Sequence, residues 1–289
     1  MYDERATQRS LARLGAVAAP AEGQIARGGV RESAVQAPPR EQQSEQYSLA
    51  KILGIWAAAA LSMAALSWVV APWLADRLDG PVALARALLV SLTVGLIWQF
   101  VLVLLLVHRE RGSLRWPVLK EALWLRAPRS PRTGRAGGRL WIVLVPCLLI
   151  FVGEEFIPVL NAIPPVASHD LGTFLQSDAG RAFMSANWVW YALIAVQSVF
   201  NTVLGEELLF RGLLLPRMQG AFGRWDWVAN GVLFAAYHLH MPWSIPATLL
   251  DTFALSYPSR RYRSALIGIA VHSAQAVFVL AVTLSVVLQ

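Results

Sequence analysis

The chain has little charge and almost no cysteine. Of its 289 residues, 15% are charged and 56% are hydrophobic, whereas about 25% of the residues in a typical soluble domain are charged. The single cysteine, Cys147, excludes an intrachain disulfide and a cysteine-based metal site. It lies in an apolar segment, where we expect it to act as a small buried hydrophobic residue. The scarcity of charge predicts a membrane protein.

Apolar segments separated by polar connections make up most of the chain. The longest reach the roughly 20 residues that a helix needs to cross a bilayer. The segments lie at about 52–74, 84–107, 140–160, 188–216, 227–240, 243–257 and 265–288. The pattern predicts an all-α, polytopic integral membrane protein with about seven transmembrane helices, or about eight if one re-entrant helix lacks a clear signal.

The polar parts of the chain predict its domains and its orientation. Residues 1–49 are rich in Ala, Gly, Gln, Arg and Pro, which is typical of a disordered tail. Arginines crowd the loop 108–139 and the turn 259–263, whereas the loop 161–187 has few basic residues, so the positive-inside rule places the first two in the cytoplasm and the third outside. We therefore expect a cell (plasma) membrane protein with a cytoplasmic N-terminus, three helices within 50–160 and a C-terminal core at 188–289.

The net charge of +7 is explained by these loops. No basic stripe alternates with aromatic residues in a soluble module, so the sequence predicts no nucleic-acid partner. The lipid bilayer is the expected environment.

Ionisable residues interrupt three of the apolar segments. They are Glu206, Glu207 and Arg211 in the fourth segment, His238 in the fifth and His272 in the last. Charged groups are costly in hydrocarbon and usually mark a functional site. At a rise of 1.5 Å per residue, Glu206, His238 and His272 lie roughly 11–16 Å from the cytoplasmic face. The shared depth predicts that they meet in one cavity.

Helix geometry suggests how this cluster works. Glu207 and Arg211 are four residues apart and can pair on one helix face. Glu206 then points about 100° away, free to face a cavity as a general base. His238 and His272 could hold a water, polarise a carbonyl or bind a metal. Two other interpretations remain open at this point: a polar network that joins helices, and a transporter, since transporters also keep charges at the midplane.

The motifs resemble those of a known family. The run Gly205–Gly212 contains EExxxR, Phe234 and His238 form FxxxH, and His272 follows in the last helix. In this order and membrane setting they resemble the CPBP family of CAAX-prenyl-protease-like and bacteriocin-processing intramembrane proteases. The resemblance covers about residues 188–285. It implies an all-α fold enclosing a water-accessible intramembrane cavity and hydrolysis of a peptide bond in a membrane-associated peptide or protein.

The resemblance also implies roles for individual residues. Glu206 would activate the water and His238 would position it. Glu207 and Arg211 would support and orient the site, and His272 would help to stabilise the oxyanion. A cavity facing the cytoplasm would suit a peptide anchored at the inner leaflet, or a transmembrane peptide that enters from the side.

One position departs from the family pattern. The last motif of the family is HxxxN, and the Asn position here is Ala276. Either Gln275 or Ser273 takes over the missing hydrogen bond, or the protein is a weak or inactive relative that acts as a membrane scaffold, immunity or regulatory protein. A transporter is the second alternative. The HExxH, GxSG and GxGD signatures of other intramembrane proteases are absent.

The sequence leaves the involvement of a metal open. Glu206, His238 and His272 are acceptable zinc ligands with an open position, and the same residues can activate water without a metal. For the other polar residues we expect structural roles. The pair Glu154 and Glu155 suits a helix end, and His240 suits the membrane interface.

Overall fold

Helices form the architecture of the described residues, which are 45–153, 157, 160 and 163–289 of the computed structural model. No β-strand occurs in these ranges, and the all-α class is confirmed. Most of the predicted N-terminal tail and the pair Glu154–Glu155 lie outside the described residues. The α-helices are, in chain order, α1 (Leu49–Ala65), α2 (Ala71–Ala75), α3 (Ala83–Arg111), α4 (Trp116–Ala122), α5 (Leu144–Gly153), α6 (Leu171–Gln176), α7 (Asp178–Met184), α8 (Trp188–Val199), α9 (Gln219–Phe222), α10 (Asp226–Tyr237), α11 (Ile245–Asp251), α12 (Tyr257–Tyr262) and α13 (Ala265–Val287).

Within the described part, four continuous helices are long and apolar enough to cross a membrane. They coincide with predicted segments one, two, four and seven, and they are Leu49–Ala75, Ala83–Arg111, Trp188–Arg217 and Ala265–Val287. These helices mark the protein as an integral membrane protein.

The remaining apolar segments form shorter helices, so the predicted count of about seven spans is not confirmed. The third segment yields the shorter apolar helix Gly138–Gly153. The fifth yields α10, whose 12 residues extend about 18 Å, well short of a hydrocarbon core of about 30 Å. The sixth yields α11, which continues through the π-helical segment Thr252–Ser256 into α12, and this helix is not among the candidate spans. Apolar composition alone overestimated how much of the chain is arranged as full-length helices.

The arginine-rich connections meet at one end of the helices. At the start of α13, Ala265 N donates to the Trp124 carbonyl at 3.0 Å, and Arg126 Nε donates to the Arg263 carbonyl at 3.1 Å. The loop 108–139 and the turn 259–263 therefore lie on the same side, as the charge pattern predicts.

The segment 163–187 lies at the opposite end. Ala186 N donates to the carbonyl of Val287, the last residue of α13, at 3.1 Å. His169 stacks on Trp68 with ring centroids 4.2 Å apart, so this histidine has a partner that the sequence did not indicate. α13 thus separates the arginine-rich end from the end that carries the segment 163–187.

Tyr47 ties the start of α1 to the arginine-rich end, although the predicted tail extended to residue 49. Its side chain is buried, and its hydroxyl donates to the Glu110 carboxylate. Arg217, which is also buried, donates from Nη2 to Glu110 Oε2 at 2.8 Å. Burial raises the pKa of Tyr47, which keeps the hydroxyl protonated as a donor. Tyr47 is therefore packed against the helices, although composition assigned it to the tail.

The two ends predict a labelling pattern. In a Cys147→Ala background, Ala179→Cys on α7 should react with a membrane-impermeant maleimide added to intact cells. Arg132→Cys, in the arginine-rich loop, should react only after the cells are permeabilised, because arginine-rich loops stay in the cytoplasm. Both positions are exposed. Labelling of both from the same side would contradict the arrangement of the ends, and the reverse pattern would invert the orientation.

Candidate active site

The helix that carries the two adjacent glutamates is locally π-helical. The π-helical segments Phe200–Gly205 and Leu208–Leu214 flank Glu206 and Glu207. Such segments are rare and are often found at functional sites. A Cβ on Gly205 would lie 2.5 Å from the Phe200 carbonyl oxygen and 3.1 Å from that of Leu96. Glycine therefore permits both the π-turn and the close approach of α3.

Glu207 is the centre of a buried charge cluster. Arg211 Nη1 donates to Glu207 Oε1 at 2.8 Å, and both side chains are fully buried, which confirms the predicted i, i+4 pair. His272 Nδ1 lies 3.1 Å from the same oxygen. The Arg211 guanidinium sits 3.9 Å from the centroid of the Phe234 ring, within the range of a cation–π interaction. The Glu207 carboxylate thus holds α13 and its histidine against the helix Trp188–Arg217.

The hydrogen-bond partners of the two histidines fix their ring nitrogens. His238 Nδ1 lies 2.9 Å from the Phe234 carbonyl oxygen. A carbonyl only accepts, so Nδ1 carries the proton and Nε2 of the neutral ring is an acceptor. His272 Nδ1 likewise donates to the Glu207 carboxylate, which leaves its Nε2 uncommitted. Each ring therefore keeps one nitrogen for another ligand.

Glu206, His238 and His272 line one cavity of about 570 Å³. Their convergence agrees with the expectation from shared depth. Glu206 is 2% exposed, and the Tyr237 hydroxyl lies within hydrogen-bonding reach of its carboxyl group. Gln99 Nε2 donates to that hydroxyl at 2.7 Å, so the Tyr237 proton is directed away from Gln99. The arrangement places a carboxyl group and two imidazole rings around one enclosed space.

Several cavity and support residues were missed by the sequence analysis. Gln99 is the only side-chain amide in α3. An amide in an otherwise apolar helix of this length could have been recognised from the sequence as a candidate site residue. Tyr237 immediately precedes His238, but a tyrosine in an apolar run has no distinctive pattern. Asn201 also lines the cavity; only the π-helical turn explains its position.

His240 and Asp251 are not interfacial residues. His240 is 6% exposed and stacks on His238, with ring centroids 5.4 Å apart. Asp251 is equally buried, and both residues line the cavity. The sequence placed His240 near the membrane surface because it is the last residue of the predicted fifth segment, whereas α10 ends at Tyr237. The chain then turns inside the protein.

Of the two proposed substitutes for the missing Asn, only Gln275 lines the cavity. The Ser273 hydroxyl instead lies 3.3 Å from that of Thr202, which joins α13 to the long helix. Ala276 has only a methyl group and cannot donate a hydrogen bond.

The cavity extends toward the segment 163–187. Asp170, Thr173 and Gln176 contribute to its wall, whereas none of its described lining residues belongs to an arginine-rich connection. That segment lies at the end opposite the arginines, so the described lining favours a cavity that extends toward that end over one that faces the arginine-rich side. The sequence could not indicate this, because depth along a helix does not show which end of a cavity is open.

The geometry does not match a metal site. Among the described residues, no group of three or more His, Cys, Asp or Glu side chains is close enough to hold a metal ion. The ligand set considered from the sequence, Glu206, His238 and His272, shares the cavity without forming such a group. We therefore derive no step through zinc.

Gly268 makes room for the buried carboxylate. A Cβ at this position on α13 would overlap Glu207 Oε2 and lie 3.2 Å from Ser259 Oγ and 3.3 Å from Arg211 Cγ. The carboxylate has little freedom to move, because both Arg211 and His272 hold it.

Gly268→Ala should therefore lower stability by about 1–3 kcal/mol, the usual cost of overpacking, and should displace His272. Thermal unfolding of the purified protein in detergent measures this loss. Gly54→Ala is the matched control, because nothing lies within 4 Å of a Cβ there. Equal melting temperatures for the two variants would show that the carboxylate does not need the space.

Comparison with known proteins supplies one match. Residues 187–278 match the family described as type II CAAX prenyl endopeptidase Rce1-like. The matched region contains the two adjacent glutamates, the FxxxH motif and His272, and it supports the family resemblance drawn from those motifs. No curated protein and no solved structure matches the chain.

Proposed function

Residues 187–278 belong to the Rce1-like, CAAX-protease-like family, a family of proteases, and we propose that this protein is an intramembrane endopeptidase in which Glu206 activates the attacking water. The observation that carries the proposal is the shared cavity. A nearly buried carboxyl group lines it together with His238 and His272, and each ring has an uncommitted Nε2. This is the donor and acceptor set that hydrolysis needs.

In the proposed reaction, Glu206 accepts a proton from water as the water oxygen bonds to the scissile carbonyl carbon. His238 Nε2 accepts a hydrogen bond from the other O–H of the water and so orients the nucleophile. The carbonyl oxygen becomes an oxyanion, which a protonated His272 stabilises from Nε2. Glu206 then gives its proton to the departing amine as the C–N bond breaks. The products are a carboxylic acid and an amine, which exchange one proton to give a carboxylate and an ammonium group, and Glu206 returns to its ionised form.

Glu207, Arg211 and Tyr237 support these steps. The Glu207 carboxylate accepts from His272 Nδ1 at 3.1 Å, which fixes the orientation of that ring. Arg211 compensates the charge of Glu207. The Tyr237 hydroxyl lies beside Glu206 and can donate to it, which fixes the orientation of the carboxyl group.

The position of the cavity suggests how a substrate enters. With the cytoplasmic orientation of the arginine-rich end and of the N-terminus, the wall formed by Asp170, Thr173 and Gln176 faces outside. We infer that a membrane-associated peptide enters from that side or laterally from the bilayer. We place this topology in the plasma membrane.

A second candidate function rests on Ala276. A methyl group at the Asn position of the family motif would suit a relative that kept the fold but lost catalysis. Such a protein would act as a membrane scaffold, immunity or regulatory protein.

Proteolysis by the purified full chain separates the two functions. The protein in detergent is incubated with a library of membrane-anchored and transmembrane peptides, and the products are identified by mass. Cleavage that disappears in Glu206→Gln supports the endopeptidase. If the natural chain and Ala276→Asn both leave every peptide intact, and Glu206→Gln retains the cellular phenotype, the scaffold function replaces it.

A further inference from the structure

The cavity contains three side-chain amides that the family motifs do not include. They are Asn201, Gln275 and Gln176. Gln176 belongs to the short helix α6, in the segment 163–187, whereas the glutamates and the motif histidines belong to other elements. Asn201 and Gln275 each lie close in sequence to a motif residue, Glu206 and His272. An amide NH₂ is always a hydrogen-bond donor, whatever the pH.

The π-helical turn brings Asn201 onto the side of the helix that carries Glu206. The two residues are five positions apart, a separation that would place them about 140° apart around an α-helix. In a π-helix the backbone hydrogen bonds join residues five apart, and the segment Phe200–Gly205 is π-helical. Asn201 therefore precedes Glu206 by about one turn, and both side chains line the same cavity.

Asn201 is better placed than Gln275 to serve as a fixed donor. Its side chain is partly buried, whereas Gln275 is exposed. Within the part of the chain that the structure describes, the Asn201 amide has no hydrogen-bond partner. Asn also has fewer rotatable bonds than Gln, so less rotamer entropy is lost when it donates. An uncommitted, partly buried amide next to a carboxyl group is suited to binding a polar group of a ligand.

Peptide hydrolysis needs hydrogen-bond donors for an oxyanion, and the Asn201 amide can supply one. The oxyanion of the tetrahedral intermediate needs preorganised donors, and Ala276 offers none. We propose that Asn201 Nδ2 donates a hydrogen bond to the scissile carbonyl oxygen as it becomes the oxyanion, alongside His272. This assignment makes Asn201 a catalytic residue, and it rests on the proposed endopeptidase function.

The test compares variants of the full-length protein on a peptide that it cleaves. Asn201→Ala should lower kcat by about 10²–10³-fold, the typical effect of losing one oxyanion donor, with KM changed little. Asn201→Ser, which keeps a small donor, should retain more activity than Asn201→Ala. In the Asn201→Ala background, Ala276→Asn should restore part of the lost activity, because it supplies an amide from the neighbouring helix.

Gln197→Ala is the matched control, because Gln197 lies four residues before Asn201 on the same helix and is not among the residues that line the cavity. It should stay within a few-fold of the natural chain. Equal melting temperatures establish that the variants are folded. If Glu206→Gln is inactive while Asn201→Ala keeps kcat within a few-fold, the role of Asn201 is overturned and the endopeptidase function stands. If Asn201→Ala and Gln197→Ala lose activity equally, the loss is not specific to the amide in the cavity and the assignment is also overturned. If the natural chain cleaves nothing, both the function and this assignment fail.

Discussion

Glu206→Gln is expected to lower the rate of peptide cleavage by about 10²–10⁴-fold, the range that a positioned general base contributes. The amide keeps the shape of the side chain but cannot accept a proton from water. It can still hydrogen-bond to the Tyr237 hydroxyl, which lies beside the carboxyl group. The fold should therefore survive. Initial rates on a peptide substrate and thermal unfolding in detergent measure the two effects.

Glu121→Gln is the matched control for this substitution. Glu121 is an exposed glutamate on α4, and it does not line the cavity. The same chemical change there should leave both rate and stability unaltered. Cleavage by Glu206→Gln at the natural rate would remove Glu206 as the base, whatever the other variants show.

Glu207→Gln is expected to damage stability as well as activity. Glu207 and Arg211 are both fully buried, and loss of one partner from a buried ion pair typically costs about 3–5 kcal/mol because the other charge is left uncompensated. His272 also loses its carboxylate partner, so its ring is no longer held in place. The melting temperature and the cleavage rate should therefore fall together, unlike those of Glu206→Gln.

A double variant tests whether the uncompensated charge of Arg211 causes the loss of stability. Arg211→Met removes the uncompensated cation, so Glu207→Gln combined with Arg211→Met should melt at a higher temperature than Glu207→Gln alone. Activity should not return, because the support of His272 is still missing. If Glu207→Gln melts like the natural chain, the Glu207–Arg211 pair is not a structural centre of the site.

The polar residues within apolar segments were sufficient to predict much of the site. Glu207 and Arg211 pair as expected, because side chains four residues apart lie on one face of a helix. Glu206, His238 and His272 share a cavity, because the depth of a residue along a helix is set by its distance from the helix end. Both expectations depend on local geometry alone.

The residues that sequence analysis missed depend on contacts between elements. Tyr237 and Gln99 meet from α10 and α3, a contact between positions far apart in the chain. His240 is buried because α10 ends early and the chain turns inside the protein. Asn201 reaches the cavity because a π-helix replaces the expected α-helix, a change in backbone hydrogen bonding that residue type does not specify.

The sequence by itself determined the membrane class, the all-α fold, the two ends of the helices and the motif residues of the site. Each follows from composition or from fixed helix geometry, which act over a few residues. Only the tertiary structure decided the helix lengths, the end toward which the cavity extends and the amide and hydroxyl groups around Glu206. These features depend on how distant segments pack. A buried polar group, for example, is stable only where that packing supplies a hydrogen-bond partner for it.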